Sequence, residues 1–241
     1  MACDCDSIHR SSQILDVVER HIDSYGLFSF TVSEVIAESN QSTTTFYKRF
    51  KGKEDLLVCV FLRNATSNHF KAFEAQYPNQ TPIERFLLPI VLSFEVGHKS
   101  PAFNLVRQVA VNSRVWRLAA EPKVSLFRHK IAAFWNYIET SVRNLVASGD
   151  LVASEEAIIN LTQSVTFYLS GSLNAMECGL INDKFIGQQR DKVFQQLKQI
   201  LNAYQWNTEI SFNQFEKVGF RCYLYLNGCN DDKCQYCLRC A

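Results

Sequence analysis

Three short amphipathic segments separated by polar turns occupy the first fifty residues of the chain. In SQILDVVERHIDSY (residues 12–25) apolar side chains recur at helical spacing, and Gly26 follows where a helix would end. Thr31 precedes VSEVIAES and has Glu34 three residues later, which is the pattern of a capping box. After the polar break SNQS, Ser42 can cap a third segment, TTTFYKRF. This arrangement predicts a helix-turn-helix module.

The third segment has two faces of different character. Phe46 and Phe50 are four residues apart, so both are expected to point into the core. On the opposite face, threonine can bond base edges and touch the thymine methyl group, while tyrosine and lysine can reach phosphates. The sequence therefore predicts an exposed DNA-reading face, made of Thr43, Thr44, Tyr47 and Lys48.

Charge supports this prediction only locally. The net charge is +1, so bulk electrostatics do not point to nucleic acid. The first sixty residues contain nine Asp and Glu against six Lys and Arg, yet four of those six cations lie in KRFKGK (residues 48–53). Positive charge is therefore concentrated at the end of the third segment and in the turn that follows it.

The stretch TVSEVIAESNQSTTTFYKRFKGKEDLL resembles the DNA-binding segment of TetR-family transcriptional regulators. The resemblance covers about residues 10 to 60. The positions that carry it are Thr31, the pair Phe46-Tyr47, Phe50, the pair Lys53-Glu54 and the pair Leu56-Leu57. The resemblance adds Thr31, Ser42 and Lys53 to the exposed face. The expected DNA-binding residues are then Thr31, Ser42, Thr43, Thr44, Tyr47, Lys48 and Lys53.

The turn departs from the family's pattern. TetR-family turns usually carry Ala-Gly before a small apolar residue and Ser, whereas this chain has Ser39-Asn40-Gln41-Ser42. After glycine, asparagine is the residue best suited to a left-handed turn position. We therefore expect an intact turn with Asn40 at that position, and Gln41 stands where the family has an apolar residue.

The rest of the chain is predicted to be a helical body. Only five Pro and nine Gly interrupt 241 residues, which favours an all-α fold. We divide the chain into a helix-turn-helix DNA-binding domain (1–53), a helical effector-binding and dimerisation domain (54–206) and a Cys-rich C-terminal extension (207–241). No apolar run is long enough to span a membrane and no secretory signal is present, so the expected location is cytoplasmic.

Some details of the body are predicted from local signals. A helix is expected from Glu54 to about Gln76, and Pro89 is expected to kink or break the segment that contains it. From Asn207 onward the periodicity weakens. The aromatic-rich segments EISFNQF and FRCYLYLNG are interpreted as strands or irregular structure.

The resemblance implies that the body dimerises and binds a small-molecule effector. Two segments are candidates for the dimer interface: residues 155–176, where Ser170-Gly171-Ser172 permits close helix approach, and residues 185–204, with an apolar face that includes Phe194 and Leu197. Either segment could instead pack within one monomer. The candidate ligand-pocket residues, chosen among the central aromatics, are Phe103, Trp116, Phe134 and Phe167.

The C-terminal stretch CNDDKCQYCLRC carries the candidate metal site. Two consecutive Cys-x-x-Cys spacings let three thiolates converge, and the predicted ligands are Cys229, Cys234, Cys237 and Cys240, with Cys222 as an alternative fourth. Four thiolates suit zinc or an iron-sulfur cluster. A thiol switch that forms disulfides under oxidation and a tail without a defined role both remain open. The cofactor is therefore unknown, with zinc or iron-sulfur as the possibilities.

These features together predict a dimeric transcriptional regulator, a repressor that binds a palindromic double-stranded DNA operator and is modulated by a small ligand or by a redox or metal signal. The chain has no Gly-rich phosphate loop, no Gly-x-Ser-x-Gly and no His-Glu-x-x-His, so it is not expected to be an enzyme. The alternative is a metal- or redox-binding helical interaction protein that does not bind DNA.

Overall fold

The computed structural model describes residues 5–182, 184–186 and 190–228, with side chains from residue 11 onward. In chain order its helices are α1 (Cys5–Tyr25), α2 (Val32–Glu38), α3 (Thr43–Tyr47), α4 (Lys53–Asn64), α5 (Phe70–Gln76), α6 (Pro82–Lys99), α7 (Pro101–Ala110), α8 (Ser113–Trp116), α9 (Glu121–Ala147), α10 (Glu155–Cys178), α11 (Arg190–Leu201) and α12 (Phe212–Leu226). Two short strands, β1 (Leu151–Val152) and β2 (Gln205–Trp206), pair antiparallel. The expectation of a helical fold with an N-terminal helix-turn-helix is confirmed.

Two compact units make up the described chain. The first contains the described residues up to Ala65 together with Ser100–Lys130, and the second contains Thr66–Lys99 together with the described residues from Ile131 onward. Helix α9 contributes its first ten residues to the first unit and the remainder to the second. Among the described helices, none is long and apolar enough to cross a membrane.

The first unit is built on the predicted amphipathic faces of α1 to α3. Ile14, Val18 and Ile22 of α1 are almost fully buried, and α1 packs against α2, α4 and α7. Helix α1 ends where expected, since Gly26 adopts a left-handed conformation with φ of +83° directly after Tyr25. Burial of one face of each short helix compensates for their small number of internal hydrogen bonds.

The second unit is built around α6, which is apolar along most of its length, and α12 packs along it. Glu84 near the start of α6 is 2% exposed and binds two cations of α12: its Oε1 lies 2.6 Å from Lys217 Nζ and its Oε2 lies 3.2 Å from Arg221 Nη1. Where α11 meets α12, an added Cβ at Gly219 would lie 3.2 Å from the Arg190 guanidinium. Glycine therefore permits this close approach.

Three local predictions are corrected by the structure. The helix expected from Glu54 to Gln76 is divided, because α4 ends at Asn64 and a 3-10 turn, Thr66–Asn68, precedes α5. Of the two alternatives at Pro89, the break is wrong, because helix α6 continues through this residue and Ser93 Oγ donates to the Pro89 carbonyl at 2.7 Å, while the kink stays a prediction. The C-terminal aromatic segments are helical rather than strands, since α12 has a capping box at Ser211 and buries one side.

Candidate nucleic-acid interface

The turn between α2 and α3 has the geometry that its asparagine predicts. Asn40 adopts φ of +53°, in the left-handed region. Gln41 stays within the turn, where its Nε2 donates to the Ser39 carbonyl at 3.2 Å. Ser42 Oγ then accepts a hydrogen bond from the Thr45 amide at 3.1 Å and caps α3. Polar side chains thus hold the turn without the apolar residue that the family pattern has.

Helix α3 separates a buried face from an exposed face as predicted. Phe46 and Phe50 are buried, with ring centroids 5.4 Å apart. Tyr47 is 55% exposed, and its ring meets that of Phe46 edge-on. The other exposed residues of this face are Ser42, Thr43, Thr44 and Lys48. We name this set, Ser42, Thr43, Thr44, Tyr47 and Lys48, the reading face.

The other two predicted DNA-binding residues make internal contacts. The Thr31 hydroxyl accepts from the Glu34 amide, and the Thr31 amide donates to the Glu34 carboxylate at 2.7 Å, which completes the capping box of α2. Lys53 Nζ donates to the carbonyls of Phe28 and Phe30 at 3.3 and 2.8 Å, and partial burial lowers its pKa. These contacts give both residues a role in joining α2 and α4 to the loop that precedes α2.

The basic cluster KRFKGK is therefore divided among different roles. Lys48 and Lys51 are exposed to solvent, Arg49 is half-buried, and Lys53 is bound to backbone carbonyls. Of the four cations that the sequence brings together, two are thus presented fully at the surface. Both lie at the end of α3 or in the turn after it, next to the reading face.

A buried ion pair that sequence reasoning missed holds this turn in place. Asp55 is 1% exposed; its Oδ2 accepts from the Lys51 amide and its Oδ1 from the Ala120 amide, both at 2.9 Å. Lys123 Nζ donates to Asp55 Oδ2 and to the Arg49 carbonyl, each at 2.5 Å. Because 68 residues separate Asp55 from Lys123, no local pattern could have identified the pair.

The predicted metal ligands Cys229, Cys234, Cys237 and Cys240 lie outside the described residues. The alternative ligand Cys222 is fully buried in α12, and burial strongly raises the pKa of its thiol, so it belongs to the core of the second unit. Within the described part of the chain, no group of three or more His, Cys, Asp or Glu side chains could hold a metal ion.

The candidate pocket residues divide between the two units. In the first unit, Phe103 is buried with its ring centroid 5.6 Å from that of Phe61, while Trp116 is half-buried on α8. In the second unit, Phe134 stacks on Phe70, and Phe167 is 62% exposed beside Trp135. A ligand pocket formed by these four residues stays a prediction.

The two candidate dimer segments differ in exposure. On α11, Val193, Phe194, Leu197 and Leu201 are buried within the second unit, and Phe194 packs against rings of α12. That apolar face is therefore already occupied within the chain. On α10, an outward face at helical spacing is exposed, and it consists of Ile159, Gln163, Phe167, Ser170 and Gly171.

The first unit thus contains a helix-turn-helix with an exposed reading face, within a chain that is otherwise helical. Residues 14–60 match the family model described as "Bacterial regulatory proteins, tetR family". The resemblance to TetR-family regulators is confirmed by this match over the helix-turn-helix segment.

Solved structures share the fold well beyond that segment. A bacterial regulatory protein of the tetR family from Rhodococcus RHA1 is 14% identical, with a TM-score of 0.60 over 83% of this chain and 98% of its own. The transcriptional regulator FadR from Bacillus subtilis, solved with stearoyl-CoA, is 15% identical, with a TM-score of 0.53 over 90% of this chain and 98% of its own. Regulatory protein TetR from Rhodobacter sphaeroides is 13% identical, with a TM-score of 0.54 over 80% and 98%. At these low sequence identities, the similarity shows a shared fold and no more. No curated protein matches the sequence.

Proposed function

We propose that the chain is a DNA-binding transcriptional regulator that represses by occupying a palindromic operator as a homodimer. The observation that carries this proposal is the reading face of α3, which presents two threonines, a tyrosine and a lysine to solvent above a buried Phe46-Phe50 pair. These side chains suit contacts with base edges and phosphates in a major groove. The match of residues 14–60 to the tetR family supports the same function.

The outward face of α10 supports dimerisation. Phe167 is a large apolar side chain that is 62% exposed, and Ile159 lies two turns earlier on the same face. A Cβ added at Gly171 would meet nothing within 4 Å, so this glycine leaves room for a second helix to approach. A dimer would place two reading faces on half-sites about one helical turn of DNA apart, roughly 34 Å.

Two substitutions test DNA binding. Tyr47→Ala and Lys48→Ala should each weaken binding to the palindrome in the DNA flanking the protein's own gene by roughly tenfold, because each removes a contact from the exposed face. Fluorescence anisotropy with a labelled duplex measures the loss. Tyr223→Ala and Lys71→Ala are matched controls, since both residues are exposed in the second unit.

The outcomes separate the leading hypothesis from its alternative. Salt-sensitive binding of the wild type, reduced in the α3 variants and retained in the controls, supports the regulator. If the wild type binds no duplex from its own flanking DNA, the result supports the alternative hypothesis, a metal- or redox-binding helical protein that does not bind DNA. Equal binding by wild type and both α3 variants would exclude α3 as the reading helix.

The dimer interface is tested by a matched pair of charge substitutions. Phe167→Glu should convert the dimer to a monomer in sedimentation analysis, because it places a charge in the centre of the α10 face. Phe220→Glu on α12 changes an equally exposed phenylalanine, 59% against 62%, and should leave the dimer intact. Dissociation by Phe220→Glu alone would place the interface on α12 instead.

An effector is proposed for the helical body. FadR, whose fold is similar, was solved with stearoyl-CoA, which supports a small-molecule effector in a body of this architecture. The cysteine-rich end adds a redox or metal signal as a second possible input. Metal analysis and an absorption spectrum of anaerobically purified protein distinguish an iron-sulfur cluster, which absorbs visible light, from zinc, which does not. A colourless, metal-free protein leaves the thiol switch.

A further inference from the structure

A second basic surface lies in the first unit, outside the helix-turn-helix. Residues 111–130 contain five Lys and Arg and a single acid, Glu121. Arg114, Arg117 and Arg128 are all exposed. The only ion pair recorded for these three arginines in the described chain is a long one of 3.8 Å between Arg128 and Glu121, both largely exposed. Solvent screens such a pair strongly, so it neutralises little of the charge.

An aromatic ring organises two of these arginines. The Arg117 guanidinium lies 5.3 Å and the Arg128 guanidinium 5.0 Å from the centroid of the Trp116 ring. A cation over an indole ring is attracted by the ring's quadrupole, which restricts the long arginine side chain without neutralising its charge. We name Arg114, Trp116, Arg117 and Arg128 the arginine-tryptophan patch.

Two residues next to this patch in sequence, Ala120 and Lys123, form hydrogen bonds with the chain around the end of α3. Ala120, three residues after Arg117, donates its amide to Asp55, and the same carboxylate accepts the Lys51 amide. Lys123, which lies between Arg117 and Arg128 in sequence, donates to the Arg49 carbonyl just after α3. The patch is therefore held within the same unit as α3, close to the turn that carries Lys48 and Lys51.

We propose that the arginine-tryptophan patch binds phosphates of the DNA backbone outside the base pairs read by α3. This inference rests on the proposed function, because its partner is the same duplex. Guanidinium groups bind phosphate in a planar, bidentate geometry and keep their charge at every physiological pH. Three of them, one on α8, one directly after it and one on α9, suit an extended row of phosphates better than one small anion. The patch adds affinity without reading sequence.

The salt dependence of binding tests the patch. Arg117→Gln/Arg128→Gln is compared with Lys71→Gln/Arg143→Gln, which removes the same charge from the second unit. Each protein is titrated with a labelled operator duplex and a length-matched scrambled duplex between about 50 and 200 mM salt. For the patch variant, the slope of log K against log salt should become shallower by about 2, or about 0.9 per lost phosphate contact. Affinity for both duplexes should fall together, by about 10- to 100-fold near 0.1 M salt.

The outcomes distinguish this inference from the proposed function. If the wild type binds neither duplex, the proposed function fails and the patch has no DNA partner. If the wild type binds but the patch variant keeps the slope of the control, the patch inference alone is overturned. Loss of operator binding with scrambled-duplex binding unchanged would also overturn it, because that result would indicate base reading. Thermal unfolding of both variants confirms that each is folded.

Discussion

Two buried carboxylates, one in each unit, are used in different ways. Asp55 in the first unit is 1% exposed, and Glu84 in the second is 2% exposed. Asp55 accepts two backbone amides and Lys123, so most of its bonding fixes the main chain around the end of α3. The Glu84 carboxylate accepts the Thr81 amide just before its own helix and binds Lys217 and Arg221, so it joins α6 to α12.

The difference shows how similar burial can have different consequences. Removing Asp55 would disturb both the stability of the first unit and the position of the reading face. Removing Glu84 would disturb stability only, since both of its cations lie on α12 and are themselves partly exposed. DNA affinity and the free energy of unfolding should therefore respond together in one case and separately in the other.

The largest effect is expected for Asp55→Ala. This change removes the acceptor of the Lys51 and Ala120 amides and leaves Lys123 with only the Arg49 carbonyl, so the free energy of unfolding should fall by about 3–5 kcal/mol. Urea unfolding measures the loss, and anisotropy at low temperature should show that operator binding falls with it. A folded Asp55→Ala protein that binds the operator with wild-type affinity would show that Asp55, like Glu84, contributes to stability only.

A smaller effect is expected for Lys123→Met, which leaves the Asp55 carboxylate with its two amides but without a cation. The unfolding free energy should fall by about 2–3 kcal/mol, and operator affinity by about tenfold, because the Arg49 carbonyl also loses its donor. Lys123→Arg keeps the charge and should restore most of the affinity. If Met and Arg variants bind DNA equally, Lys123 does not position α3.

Glu84→Gln should cost about 1–2 kcal/mol of unfolding free energy while operator affinity stays unchanged. The glutamine keeps the side-chain length and an acceptor oxygen but loses the charge that both α12 cations contact. The same urea and anisotropy measurements apply. A loss of DNA affinity comparable to that of Asp55→Ala would contradict the separation proposed for the two units.

The smallest effect concerns pH and distinguishes charge from shape at Glu84. Burial acts to raise the pKa of Glu84, but the hydrogen bonds from Lys217 and Thr81 and the charges of Lys217 and Arg221 outweigh it and lower the pKa. Its stabilisation is therefore complete above the unfolded value, about 4.3, and is lost as the pH falls through the folded value. The stability gap between wild type and Glu84→Gln should shrink below about pH 4. If the stability difference between wild type and Glu84→Gln does not change with pH, the lost stability comes from packing and not from the charge of Glu84.

Local signals in the sequence were enough to predict the helix-turn-helix. Caps at Thr31 and Ser42, the end of α1 at Gly26 and the inward pair Phe46-Phe50 all follow from residues at most four positions apart, and the structure has each of them. The same reasoning also gave the helical class of the body. Such predictions succeed because the controlling contacts lie within one or two turns of chain.

Features that depend on residues far apart in sequence could not be predicted from local patterns. The aromatic residues of the α12 segment favour a strand or irregular structure locally, yet packing against α6 favours a helix. The bonds of Lys53 to the carbonyls of Phe28 and Phe30 could not be predicted, because these partners are more than twenty residues away, and a DNA contact of Lys53 stays a prediction. The Asp55–Lys123 pair likewise becomes visible only when the chain is folded.

The burial of Cys222 has a practical consequence for chemical labelling of the cysteine-rich end. In the native protein, a maleimide should spare Cys222 and Cys59, because burial raises the pKa of both thiols, that of Cys59 to about 11. Cys178 is exposed at the end of α10 and should be alkylated readily. A Cys178→Ser background would therefore remove the exposed thiol among the three cysteines whose side chains the structure describes. Reagent uptake by Cys229 to Cys240 could then be followed with less interference.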